Sequence, residues 1–250
     1  MQDYLTSDGL RALAVLVLAI GQAAAAYWPD IRKWEHTITS RSQNLDTPVV
    51  PFGPFFAIWL VIFASCFGFA VWHALRGNLN DPYLRQVGWM AAALFAGNSA
   101  WEVYVPRKGF AWPSFYLILV ELALALSLIV VIQPYVAGLT GVAYWLGAAP
   151  LYFFAGWLSV ATFVSLSSTL ILTNSTFNPR SAQGSAITIV TAGDFVAVIA
   201  VWTGSAVYAA SAVWGLLGVI VGTRIKKEPI AATTAAATSI ALILASVAAS

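Results

Sequence analysis

Few residues in this sequence could do chemistry, and most of them lie in apolar surroundings. Glu121 and Asp194 are acids set well inside apolar runs. A carboxylate at mid-bilayer costs about 2.5–3.5 kcal/mol on insertion scales, so each needs a partner, a proton or a water-filled cavity. No Lys or Arg occupies the middle of an apolar run. At least one of the two acids is therefore expected to keep its proton, and both are candidate proton sites. For Glu121, on a plain Leu/Ala/Ser helix, a structural hydrogen bond is the favoured reading; for Asp194 the structural and functional readings stand level.

Metal and nucleophile constellations are absent from the pattern. The two histidines, His36 and His73, fall in a loop and at the end of an apolar run, without the spacing of a metal site. No catalytic residue and no metal ligand is assigned, and axial haem ligation by a lone histidine is a weak option. The apolar runs contain no lysine, which removes a retinal Schiff base, and no glycine-rich loop suggests a nucleotide.

The remaining chemistry is aromatic. Of the 11 tryptophans, Trp28, Trp89 and Trp112 lie near the ends of apolar runs, where amphipathic rings mark the membrane interface. Trp59, Trp101 and Trp157 lie within runs, beside small or polar residues, and Asn98 precedes Trp101 by one helical turn. Indole faces next to an amide suit a flat, largely apolar ligand, because stacking supplies contact area and the amide fixes orientation. The competing reading is that these rings simply fill the core.

The elements that must position these residues follow from composition. Of the 250 residues 60% are hydrophobic and 9% charged, against about 25% charged in soluble domains. A soluble enzyme, a disordered chain and a disulfide scaffold are excluded, and the single cysteine, Cys66, cannot form an internal disulfide. A net charge of +2 without a basic run gives nucleic acid no footprint. The start Met1-Gln2-Asp3 lacks the basic opening of a cleavable signal, so the first apolar run is expected to be retained.

Charges and Pro/Gly clusters divide the chain into eight expected spans, at 10–28, 51–75, 87–105, 113–133, 147–172, 185–202, 205–222 and 229–249. All must be helical, because backbone groups in hydrocarbon need internal hydrogen bonds. The fold class is all-α, a polytopic membrane helix bundle. The least marked boundary is Thr203-Gly204; were it a kink, the count would be seven. With eight spans, nine of the 12 Lys and Arg share the side of loop 29–50, leaving Arg11, Arg76 and Arg85 opposite. The positive-inside rule then makes loop 29–50 cytoplasmic. Small residues at Ala231, Ala235 and Ser239 and the pair Gly218/Gly222 suit close helix approach, read as internal packing ahead of a subunit interface.

Three segments together resemble the translocator protein, or tryptophan-rich sensory protein (TspO), family. They are Pro51-Phe52-Gly53-Pro54-Phe55-Phe56-Ala57-Ile58-Trp59, continuing to Gly68-Phe69-Ala70-Val71-Trp72; Asn98-Ser99-Ala100-Trp101, followed by the basic turn Pro106-Arg107-Lys108-Gly109; and Pro150 through Tyr152 and Trp157 to Ala161-Thr162. The resemblance covers about residues 1–174 and implies a five-helix bundle with a cavity capped by loop 29–50, which holds Trp34, His36 and Asn44. Residues 175–250 form a three-helix extension, similar to that of a longer branch of the family. The implied ligand is a porphyrin, another tetrapyrrole or a sterol-like lipid, with haem as one form. The implied ligand-binding residues are Phe56, Trp59, Asn98, Trp101, Trp157 and Ser165, with Trp34 in the lid. Phe63 and Ser165 depart from the Tyr and Asn usual in the family, which removes polar groups from the cavity and leaves the ligand open.

The leading expectation is a receptor or sensor in a bacterial inner membrane, with a regulatory or transport role. The alternatives are an accessory subunit of a larger, pigment-bearing complex, and a proton-coupled transporter using Glu121 and Asp194. Membrane lipid and a homodimer or larger assembly are the expected partners. No acid/base pair is readable, so an enzyme is not expected.

Overall fold

The computed structural model describes residues 6–227 and 230–249; the reading of Met1-Gln2-Asp3 lies outside them. The apolar runs become long helices where polar caps close their ends. Helix α1 (Ser7–Ile31) starts at Thr6, whose hydroxyl accepts from the Gly9 amide at 3.2 Å. A short helix, α2 (Ile38–Gln43), lies in the expected lid, held by a reciprocal capping box between Thr37 and Ser40. A 3₁₀ turn, Gly53–Ala57, leads into α3 (Ile58–Ala74). Helix α4 (Pro82–Lys108) begins with Asp81 accepting from the Tyr83 and Leu84 amides, with Pro82 at its first position. Then follow α5 (Trp112–Val136), a three-residue α6 (Gly141–Ala143) and a π turn, Tyr144–Ala148, that runs directly into α7 (Ala149–Leu172). Helices α8 (Ala182–Thr203), α9 (Ala206–Lys226) and α10 (Ile230–Ala248) complete the order.

The weakly marked boundary is a true break. Gly204 takes the left-handed conformation that ends α8, φ +61°, and the Ser205 hydroxyl accepts from the Tyr208 amide to start α9. Among the described residues seven helices are long and apolar enough to cross a membrane, and α4 is absent from that set. Its pairing shows what it does instead. Arg85 meets Asp8, Asn98 meets Gln22, and Arg107 stacks on Trp34 just beyond α1. Helix α4 thus runs parallel to α1 along its length, although Asn98, Ser99 and Glu102 within it, besides the charges at its ends, lower its hydropathy.

Helices α3, α1, α4, α5 and α7 close a ring, each packed on the next and α7 on α3. Outside it α9 lies along α7, and α10 packs in the groove between α8 and α9. The polar residues at the two ends segregate. At one end Arg11, buried, donates to His73 Nε2 (3.1 Å) and the Leu79 carbonyl (2.7 Å) and pairs with Asp8, which also holds Arg85. At the other, Arg41 donates to the Pro106 carbonyl (3.1 Å), Arg180 to the Leu45 carbonyl (3.0 and 3.1 Å), and Lys226 pairs with Asp46 (3.3 Å). The basic residues expected on the lid side do gather there.

The small residues serve internal contacts. A Cβ on Gly156 would lie 2.1 Å from the Tyr208 carbonyl oxygen, and one on Gly193 would lie 2.2 Å from Ser239 Oγ. Gly218 faces the lid-to-α3 segment rather than another helix, since a Cβ there would reach Pro51 and Phe55 at 2.8 Å. Gly156→Ala should therefore lower stability by about 1–3 kcal/mol through overpacking. Gly21→Ala, where nothing lies within 4 Å, should leave the melting temperature unchanged or raised. Thermal unfolding of the two purified variants checks the contrast.

Candidate functional site

The ring of five helices encloses an aromatic chamber at the lid end. Phe56 and Trp59 enter it from the start of α3, Trp101 from α4, Trp157 and Ser165 from α7, and Ile38 and Ser42 from α2. Phe110, in the turn between α4 and α5, completes the wall. Local sequence explains the placement. Gly53 and Pro54 force a 3₁₀ turn that swings Phe56 inward before the α-helix begins. The rings meet edge to face: Trp59 lies 5.9 Å from Trp157 and 6.1 Å from Phe154, and Phe56 lies 6.3 Å from Trp157. The chamber is nearly filled by these side chains. Its free volume is about 20 Å³, room for one water-sized molecule.

Besides Ser42, the polar side chains of this mostly apolar chamber are Trp101, Trp157 and Ser165. Trp101 Nε1, Trp157 Nε1 and Ser165 Oγ are buried and have no hydrogen-bond partner. An orphaned buried donor costs about 1–3 kcal/mol, so three around one chamber mark a place where a guest or a water would be held. Two indole N–H groups can donate, and the serine hydroxyl can donate or accept.

A wider groove adjoins the chamber, opening between α1 and α3 with a volume of about 470 Å³. The two share Ile38, Phe56 and Trp59 as a common wall. Phe63, which replaces the Tyr usual in the resembled family, stacks on Trp59 at 5.3 Å and lines the groove. At the back of the groove stands Glu102 of α4, 2% exposed, with Oε1 unpartnered.

The structure brings together five of the residues expected to bind ligand: Phe56, Trp59, Trp101, Trp157 and Ser165. Two lie elsewhere. Asn98 is fully buried in the seam between α1 and α4, where its Nδ2 donates to Gln22 Oε1 at 3.1 Å. Its spacing from Trp101 puts it one turn along the helix, but that turn faces α1. Trp34 is in the lid, beneath the Arg107 guanidinium at 4.4 Å from the ring centre, and lines a separate surface hollow with His36 and Arg41. Of the two candidate proton sites, Glu121 is buried with both oxygens unpartnered and approaches α4 at Gly97. Asp194 is exposed on the outer face of α8 and lines neither chamber nor groove. Among the described residues, no group of three His, Cys, Asp or Glu gathers to hold a metal ion.

The sequence reading does not single out Glu102, Gln22 or Phe110. Glu102 falls three residues inside the expected end of its span, where an acid reads as interfacial. Its adjacency to Trp101 was the available signal.

The wall between chamber and groove is tied to the C-terminal helices. The Phe52 amide donates to the Gly218 carbonyl (2.9 Å), and Trp214 Nε1 donates to the Phe55 carbonyl (2.8 Å), so α9 holds both sides of the 3₁₀ turn that carries Phe56. A family model described as TSPO-like protein matches residues 11–248, the ring and the added helices together. The chain belongs to the TSPO-like protein family. No curated protein and no solved structure matches it. Together with the seven apolar helices among the described residues, membership makes it an integral membrane protein of the TspO type.

For Asn98 the geometry separates a structural role from a ligand role. Asn98→Ala should cost about 1–3 kcal/mol, since it strands Gln22 in the seam, yet leave the chamber intact. Parallel measurement of thermal unfolding and of probe binding to the chamber checks both halves.

Proposed function

We propose that this TSPO-like protein is a membrane receptor or sensor that takes a flat, hydrophobic ligand of tetrapyrrole or sterol-like class into the aromatic chamber. One observation carries the reading: three of the residues that line a mostly apolar chamber beside an open groove, Trp101, Trp157 and Ser165, each hold a buried polar atom without a hydrogen-bond partner. Aromatic faces supply area and the few polar atoms fix orientation. Ligand pockets for molecules of this size run to about 300–1,000 Å³. The ligand therefore comes by way of the groove, and Phe56 and Trp59 turn aside to join its volume to the chamber.

In this reading the protein acts by signalling or transport rather than catalysis. It sits in a bacterial inner membrane with loop 29–50 in the cytoplasm, in keeping with the basic residues gathered at the lid end. The unit 1–174 provides the cavity, and 175–250 is the extension that braces it. A second reading, an accessory subunit in a larger membrane assembly or a homodimer, is favoured by Asp194. A carboxylate on the outer face in the middle of a span calls for a partner outside the chain.

The test is a tryptophan-quenching titration of the purified protein with protoporphyrin IX dimethyl ester, which keeps the flat ring without its acids. Saturable quenching is expected, weakened about tenfold in Trp157→Ala and in Trp101→Ala. Non-saturable quenching, equal in all three proteins, would refute the ligand role.

A further inference from the structure

Glu102 is the buried acid that the chamber does not use. It projects from α4 to the back of the groove between α1 and α3, is 2% exposed, and leaves Oε1 without a partner. A second acid, Asp30, stands at the exposed end of α1 on the same groove. No Lys or Arg lines it. Three arginines of this end are engaged elsewhere: Arg41 on the Pro106 carbonyl, Arg107 over Trp34, and Arg32 over Trp28 at 5.3 Å. Glu121, the other buried acid, reaches α4 at Gly97 and offers no countercharge.

The other walls are aromatic. Tyr27 meets Phe63 edge to face at 6.4 Å, and Phe63 stacks on Trp59, so ring faces line the route from the mouth to the chamber wall. A buried carboxylate is stable only when neutralised or paired. An organic cation supplies the pairing charge, and aromatic faces attract it through their quadrupoles. Among the described residues no third His, Cys, Asp or Glu joins Glu102 and Asp30 to hold a metal ion.

We propose that this groove is a binding site for the cationic head of an organic ligand, a protonated amine or quaternary ammonium held between the Glu102 carboxylate and the Trp59 and Phe63 rings. Its flat apolar body extends to the chamber; that extension rests on the function proposed above, whereas the charge preference does not. The groove correspondingly disfavours a ligand that carries free carboxylates.

The experiment uses three probes of one shape: 1-pyrenemethylammonium, pyrene and 1-pyrenecarboxylate. Each is titrated against the full-length protein in phosphatidylcholine nanodiscs, with energy transfer from tryptophan as the signal and protein-free discs correcting for partition. The ammonium should bind about tenfold more tightly than the carboxylate. Glu102→Gln should reduce that ratio to about threefold or less, with pyrene affinity unchanged. Thr39→Lys places an ammonium of the protein's own at the groove from the lid, where Thr39 is half-buried. It should weaken the ammonium probe about tenfold and strengthen the carboxylate, which keeps the test decisive even if Glu102→Gln does not fold. Equal affinities for the two charged probes in the native protein would overturn the proposal, as would a preference unmoved by both variants. Saturable pyrene binding alongside equal affinities would locate the failure in the cation site; absent pyrene binding would instead count against the chamber.

Discussion

Trp157 is the side chain on which the two halves of the structure meet. From α7 its ring closes the chamber against Phe56 and Trp59, while its far edge meets the backbone of α9 at Gly215, where an added Cβ would lie 3.3 Å from the ring. The small residues Gly156 and Gly215 let α9 come close enough to back this wall. Lipid supplies no hydrophobic drive between helices, so such close packing is what holds the added helices to the ring. With α9 so placed, its Gly218 carbonyl and Trp214 indole reach the turn that carries Phe56.

The chamber and the groove share a wall but differ in chemistry. The chamber is apolar with isolated donors, suited to a neutral ring system. The groove is acidic and aromatic, suited to positive charge. A guest spanning both would meet a graded environment, charged in the groove and apolar in the chamber. Ile38, Phe56 and Trp59 stand where the two environments change over, and all three are carried by the lid or by the start of α3.

Much of this was legible in the sequence. The eight long helices follow the expected runs within a few residues at most ends, and Gly204 did separate the sixth from the seventh. The aromatic core of the chamber came from the order of Trp59, Trp101 and Trp157 along the helices. What could not be read was rotation. In lipid the outside of a helix is as apolar as its inside, so the amphipathic stripe that orients a soluble helix is missing. Asn98 thus read as a neighbour of Trp101 when its side chain points to Gln22 on α1. Asp194 read only as an acid deep in an apolar run, and it faces outward. Trp34 was placed in the lid correctly, but a cation–π contact with Arg107 turns it away from the chamber, and no local pattern encodes a partner so distant in sequence.

The bonds from α9 and from Arg180 to the loop before α3 bear on whether the ring is a self-sufficient module. A chain ending near residue 174 would retain every chamber-lining side chain. Yet the Phe52 amide and the Leu45 carbonyl would lose their partners, the Phe55 carbonyl would lose its bond from the Trp214 indole, and the Pro51–Phe55 segment would lose the glycine surface it rests on. Such a fragment would keep the side chains of the chamber while losing the bracing that gives the chamber its shape. In this protein the extra helices are a splint for the chamber.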